Sequence, residues 1–385
     1  MRAMRNYINK KLWTVLIPVL LVGCTDEGDT VDPALDESLT LRKIVGRYYG
    51  NLDFLVGMSE PYANLAATDS IAQVRQGIYY AEFALGVSDE KFQQKVTAPT
   101  GDDRIWNSSE YTFLIEESRH QGQTMLPEAP LGPNCSDWVA EERTTEELES
   151  LLEHYVSTIG TDMQLNNDVV RRVVIAEDLL ARESENPWLQ LGTETGLANG
   201  TEVVYPRYLS RILECISEKA PSIVYLFSQR TEQLDDSVWG SIKNTILALK
   251  SNGLRIDGIC WDARIPMGWE QDPEHVKDLL RLIDWCYLND VEFHVSHLMV
   301  AVTENTGVED METVANTRME QAATYAAVVE AVAGRAGRGA GSISFGTLDG
   351  CFADGVTYAG LYDKDLTPMQ AYEAVKNTLI RMAKN

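Results

Sequence analysis

From residue 41 onward the chain keeps repeating one unit, a short run rich in apolar β-formers followed by a longer amphipathic stretch. That alternation marks parallel βα units: a strand buried on both faces reads as a continuous apolar run, and its crossover helix shows apolar spacing of three and four. The short runs fall at 54–57, 84–87, 123–126, 173–176, 223–226, 258–261, 292–298 and 342–346. Eight such strands predict a closed (β/α)8 TIM barrel. Helical patterns at 145–159, 206–219, 237–251, 275–288 and 319–333 fit between them. A last one, 368–383, sets Ala371, Val375, Leu379 and Met382 on one face and would close the outer ring. With no internal repeat and no second linker, 41–385 reads as one barrel domain.

What precedes it is not part of the fold. Arg2, Arg5, Lys10 and Lys11 lead into an apolar run that stops at Cys24, so residues 1–23 are expected to be a signal peptide. Leu21-Val22-Gly23-Cys24 resembles a bacterial lipobox, in which the cysteine thiol takes a lipid. Residues 24–40 begin acidic and turn-prone and read as a tether. The expectation is a lipoprotein of a bacterial cell envelope, held by Cys24 at the outer membrane or cell surface.

Partners are narrowed by charge. With 33 basic and 58 acidic residues the net charge is -25, which repels phosphate backbones and argues against nucleic acid. A neutral polysaccharide suits the balance better. Cys135, Cys215, Cys260, Cys286 and Cys351 are too few and too scattered for a disulfide framework or zinc spacing. The glycine-rich run 334–341 lacks a phosphate-loop ending and follows a helix. Neither a cofactor nor a metal is expected.

Chemistry in such a barrel belongs at the C-terminal ends of the strands. Four segments there and in the helices carry a resemblance: Leu-Tyr-Asp-Lys-Asp-Leu-Thr-Pro-Met-Gln-Ala-Tyr at 361–372, Ser-Ile-Ser-Phe-Gly-Thr-Leu-Asp at 342–349, Gln-Ala-Ala-Thr-Tyr at 321–325, and Ile-Asp-Gly-Ile at 256–259. In order and content they resemble glycoside hydrolase family 10, the endo-β-1,4-xylanase family, over residues 51–379. The strand Arg172-Val-Val-Ile-Ala-Glu177 is similar to the family's Trp-Asp-Val-Val-Asn-Glu, which implies Glu177 at the acid/base position. At 293–300, Phe-His-Val-Ser-His-Leu-Met-Val, the family's Thr-Glu-Leu-Asp becomes Ser296, His297, Leu298 and Met299. His297 therefore occupies the nucleophile position.

A retaining glycosidase needs two carboxyl groups about 5 Å apart, one to protonate the leaving oxygen and one to attack the anomeric carbon. Imidazole carries no anion for the second task. His294 matches a histidine of the family's strand, and alternation sets it on the face opposite His297, which speaks against a shared metal. Other departures accompany the loss. The third strand runs into Pro-Glu-Ala-Pro-Leu-Gly at 127–132, the second into Glu-Lys-Phe-Gln-Gln at 90–94, and the sixth carries Asp262-Ala-Arg264 in place of Gln-Ser-His. Each removes a polar group that would grip sugar at the cleavage point.

Remaining sugar contacts are expected from aromatic walls, Trp188, Tyr205, Trp261 and Trp269, together with Asp262, Arg264 and Asp349. The implied function is a xylanase-like lipoprotein of polysaccharide metabolism that binds a β-linked, xylan-like glycan and is impaired as a catalyst. One alternative is an active endo-β-1,4-xylanase or related glycosidase, pairing Glu177 with a relocated carboxylate such as Asp262 or Asp349. Another is a non-catalytic interaction component of a glycan-uptake assembly.

Overall fold

In chain order, the elements of the computed structural model are α1 (Leu41–Tyr48), β1 (Leu55–Ser59), β2 (Tyr80–Ala84), β3 (Phe92–Gln94), β4 (Arg104–Trp106), β5 (Thr124–Glu128), α2 (Thr145–Leu165), β6 (Arg172–Ala176), β7 (Thr193–Ala198), β8 (Thr201–Pro206) and α3 (Arg207–Lys219). There follow β9 (Val224–Arg230), α4 (Asp236–Ser251), β10 (Gly258–Pro266), α5 (Pro273–Leu288), β11 (Glu292–Thr303), α6 (Met311–Ala333), β12 (Ala340–Phe345), β13 (Thr357–Tyr358) and α7 (Gln370–Ala383). The structure describes residues 39–59, 80–84, 92–94, 104–106, 112, 115–116, 118–120, 122–128, 131–133, 139, 143–182, 186–303, 311–346, 357–363 and 367–384. The expected signal peptide, Cys24, most of the tether and Asp349 lie outside the described residues, as do 85–87 of the expected second strand.

Eight strands pair in parallel around a ring, β1 to β2, β5, β6, β9, β10, β11, β12 and back to β1. The barrel is closed, as the alternation predicts. The second strand is displaced from the expected 84–87 to Tyr80–Ala84. Two short antiparallel pairs, β3 with β4 and β7 with β8, decorate the ring, and β13 pairs antiparallel with the extended end of β11.

Local sequence explains why the helices begin where they do. Thr144 accepts from the Glu147 N–H at 3.2 Å while Glu147 accepts from the Thr144 N–H at 2.8 Å, a reciprocal cap that satisfies two otherwise orphan donors at the start of α2. Asp235 and Asp272 cap α4 and α5, the latter with Pro273 in the first turn, where its missing N–H is not needed.

Most of the apolar core lies between strands and helices. Inside the barrel a separate apolar cluster, Leu126, Val174, Leu226 and Cys260, fills one half of the ring. The other half is polar: His294, Ser296, Ser342 and Ser344 are all buried there. Each buried polar group needs a partner, so this half is where the interior is built for something besides packing.

Candidate functional site

Strand β11 contains one residue more than its neighbours accommodate. Val295 pairs with Ile343 and Leu298 with Phe345, so three steps on β11 match two on β12; on the other side Asp262 pairs with Ser296 and Arg264 with Met299. His297 sits in this bulge with φ +47, a left-handed conformation that costs a non-glycine residue about 1 kcal/mol. Its N–H donates to Ser344 Oγ at 3.3 Å, which ties the bulge to β12.

The bulge corrects the expectation that His294 and His297 face apart. An extra residue resets the two-residue alternation, and both rings point into the barrel at different heights. His297 lies at the mouth, with Nε2 3.4 Å from Glu128 Oε2 and Nδ1 3.9 Å from Asp262 Oδ1. Among the described residues no group of three or more His, Cys, Asp and Glu side chains is arranged to hold a metal ion.

Asp262 is itself clamped. Arg230 Nε donates to its Oδ2 at 2.8 Å and Arg264 Nε to its Oδ1 at 3.2 Å, and only 8% of the carboxylate side chain is exposed against 45% and 43% of the two arginines. Next to it, Asp178 Oδ1 accepts from the Arg230 N–H at 3.2 Å and from Gln229 Nε2 at 3.4 Å, joining the ends of β6 and β9. Asp178 also adopts positive φ, +47. Strained residues at two strand ends of one mouth fit the tendency of such strain to gather where ligands act.

Glu177 follows β6 directly and is half-buried. Gly132 packs against it so closely that an added Cβ would stand 2.5 Å from the Glu177 carbonyl oxygen. Behind it lie Tyr155 and Tyr208, whose phenols burial pushes well above their usual range, with the negative charge of Glu177 adding to the effect.

The structure thus gathers Glu177, Asp262, Arg264 and His297 at one mouth. It adds Glu128 and Arg230, which the sequence reading did not single out. Glu128 belongs to the Pro-Glu-Ala-Pro stretch, expected to lack a polar grip on sugar; as the last residue of β5 it supplies a carboxylate instead. The overlooked signal is position: a charged residue closing a strand of a predicted barrel stands on the active face.

The aromatic walls are corrected. Trp188, Tyr205, Trp261 and Trp269 are at most 2% exposed and offer no open face for a sugar. Trp261 Nε1 donates to the Thr231 carbonyl at 2.7 Å and Trp269 Nε1 to that of Glu232 at 3.1 Å, with the two rings 5.7 Å apart. Tyr205 accepts from Asn252 Nδ2 at 2.8 Å on the β7–β8 hairpin. Trp261 and Trp269 thus secure the loop after β9, and burying all four rings gains more than leaving them in water.

At the opposite end of the barrel the interior forms a second polar group. His294 is fully buried; Ser342 Oγ donates to its Nδ1 at 2.8 Å, Arg172 Nη1 lies 3.3 Å from the same nitrogen, and Nε2 donates to Glu292 Oε2 at 3.1 Å. Burial pushes His294 below the usual histidine range, so the ring is neutral, and its hydrogen bond holds Glu292 below the usual carboxylate range. A cavity of about 560 Å³, lined by Asp53, Thr124, Arg171, Arg172, Val224 and Glu292 among others, opens at this floor, away from the mouth.

No protein-family profile matches the chain. No curated protein matches it in sequence. Solved structures do match. Xylanase 10B of Thermotoga petrophila, solved with xylobiose, aligns at TM-score 0.70 and 16% identity, covering 90% of this chain and 99% of that one. A psychrophilic glycoside hydrolase family 10 endo-β-1,4-xylanase aligns at 0.66 and 18%, over 88% and 99% of the two chains. Xylanase 10C of Cellvibrio japonicus aligns at 0.69 and 12%, over 86% and 72%. Identities this low speak for architecture alone, and the architecture shared with these xylanases is the (β/α)8 barrel.

Proposed function

We propose that this chain is a xylanase-like glycan-binding protein of polysaccharide metabolism, which holds a β-linked, xylan-type chain across the barrel mouth and is impaired as a hydrolase. In this reading a lipid on Cys24 anchors it to a bacterial cell envelope. The observation that carries the proposal is the surroundings of His297: an imidazole, not a carboxylate, fills the bulge of the seventh barrel strand between Glu128 and Asp262. Glu177 keeps an acid at the end of the fourth barrel strand, but a glycosyl ester requires an attacking anion as well. The carboxylates and guanidinium groups around the mouth supply acceptors and donors suited to sugar hydroxyls, which need both.

The test is a pair of measurements on the purified full chain. Retardation in a xylan-containing gel without release of reducing sugar supports capture. Release of reducing sugar that disappears in Glu177→Gln supports a second reading, an active glycosidase with a relocated carboxylate. Glu128 favours that second reading, because it closes the strand adjacent to that of Glu177, whereas Asp262 is held by two arginines. Retardation absent and sugar unreleased would leave the chain as an interaction component. Loss of membrane association in Cys24→Ala tests the anchor.

A further inference from the structure

Arg230 and Arg264 both bind Asp262 through Nε alone, one on each carboxylate oxygen. Their terminal amino groups make no hydrogen bond within the described residues, Asp262 is the carboxylate each pairs with, and both side chains are nearly half exposed at the mouth. Asp262 holds them in fixed register, since it is itself buried and takes a bond on each oxygen. Guanidinium groups fixed at Nε with open forks are arranged for planar two-point recognition of a carboxylate. The Arg-Asp-Arg row carries one surplus positive charge, on a chain whose net charge is -25. One carboxylate guest would bring the row to neutrality.

The rest of the mouth is acidic, with Glu128, Glu177 and Asp178 near the row, and Asp178 and Glu177 attract Arg230. A ligand acidic along its whole length would be repelled there. A neutral backbone bearing an isolated acidic branch fits both halves: hydroxyls over Glu128, His297 and Glu177, and the branch carboxylate at the two forks. We propose that Arg230 and Arg264 are specificity-determining residues that select a glycan with uronic-acid branches on a neutral backbone. This inference rests on the glycan-binding reading of the mouth.

The experiment compares binding of glucuronoxylan with the same polymer after chemical reduction of its carboxyl groups to alcohols, by affinity electrophoresis of the full chain. Neutral xylohexaose, titrated by calorimetry, reports on glycan binding by itself. The expected result is tighter retention of the acidic polymer by about tenfold, the scale of a charge-assisted hydrogen-bonded pair, with the preference shrinking as salt rises. Arg264→Gln and Arg230→Gln, each checked for an unchanged thermal midpoint, should bring the ratio of the two polymers close to one. Equal retention by the wild type overturns the proposal while leaving the glycan reading intact, provided xylohexaose binds. Failure of all three carbohydrates overturns both. Equal retention of dextran sulfate would reveal a general anion patch and overturn the uronate assignment, as would a preference that survives in both variants.

Discussion

His294 and His297 lie on one strand, three residues apart, and the barrel uses them in opposite ways. At the floor, His294 has both ring nitrogens engaged by Ser342, Arg172 and Glu292, and nothing of it is exposed. At the mouth, His297 stands in a strained conformation, its Nε2 3.4 Å from Glu128 and its Nδ1 3.9 Å from Asp262, with 16% of its side chain open. The floor histidine is shut away from solvent and the mouth histidine is not. Polar groups buried in the interior serve stability, while polar groups that reach an open mouth are within reach of a ligand.

The largest effect that would break this contrast is on stability. His294→Leu takes from the buried interior the ring that Ser342, Glu292 and Arg172 all meet and should lower the unfolding free energy by about 3 kcal/mol, whereas His297→Leu should change it by less than about 1 kcal/mol. Urea unfolding of both variants decides, and equal losses would erase the distinction.

A second change asks whether the mouth lacks only its anion. His297→Glu restores a carboxylate in the bulge, and on the proposed reading it should raise reducing-sugar release from xylan at least about a hundredfold over the wild-type background. A flat response would mean that the departures at Glu128, Asp262 and Arg264 matter as much as the missing nucleophile.

Glycines sharpen the comparison next. A methyl at Gly341 would stand 2.5 Å from His294 Cε1, and one at Gly132 would stand 2.5 Å from the Glu177 carbonyl. Each alanine should cost about 2 kcal/mol by overpacking. Only Gly132→Ala is expected to shift glycan affinity, by about threefold or more, because it alone displaces a mouth residue. Calorimetric titration with xylohexaose reads the difference.

The smallest effect is that of pH. His294 and Glu292 both have folded-state pKa values below their ordinary ones, so the unfolded chain takes up protons first as pH falls. Their stabilisation is complete above about pH 6.5; the His294 share is lost as pH drops below that, and the Glu292 share below about 4.5. The slope contributed by His294 cannot exceed about 1.4 kcal/mol per pH unit, and it should vanish from the window between 4.5 and 6.5 in His294→Leu. Denaturant midpoints measured across pH 4 to 8, in the wild type and that variant, check it.

How much of this was legible beforehand differs by kind of feature. Seven of the eight barrel strands fall on the apolar runs, because a strand covered on both sides must be apolar whatever its neighbours are. The hairpin β7–β8 carries little of that signal: in Thr193–Ala198 and Thr201–Pro206 exposed and buried positions are mixed, and Thr and Glu interrupt the apolar residues. For Trp188, Tyr205, Trp261 and Trp269 the sequence shows a large ring but not which side of it meets solvent, which depends on the chain packed over it.

Sequence by itself determined the architecture, since burial periodicity is written locally and a parallel strand-helix repeat leaves few topologies to choose from. It also put a carboxyl-bearing residue after β6 and an imidazole in the seventh barrel strand. Only the closed barrel decided which side chains meet: Glu128, Arg230, Asp262 and His297 come from four different strands and Glu177 directly follows a fifth, far apart along the chain. And only the register of β11 against both neighbours turned His297 inward, because one inserted residue inverts an alternation that sequence can only assume to be unbroken.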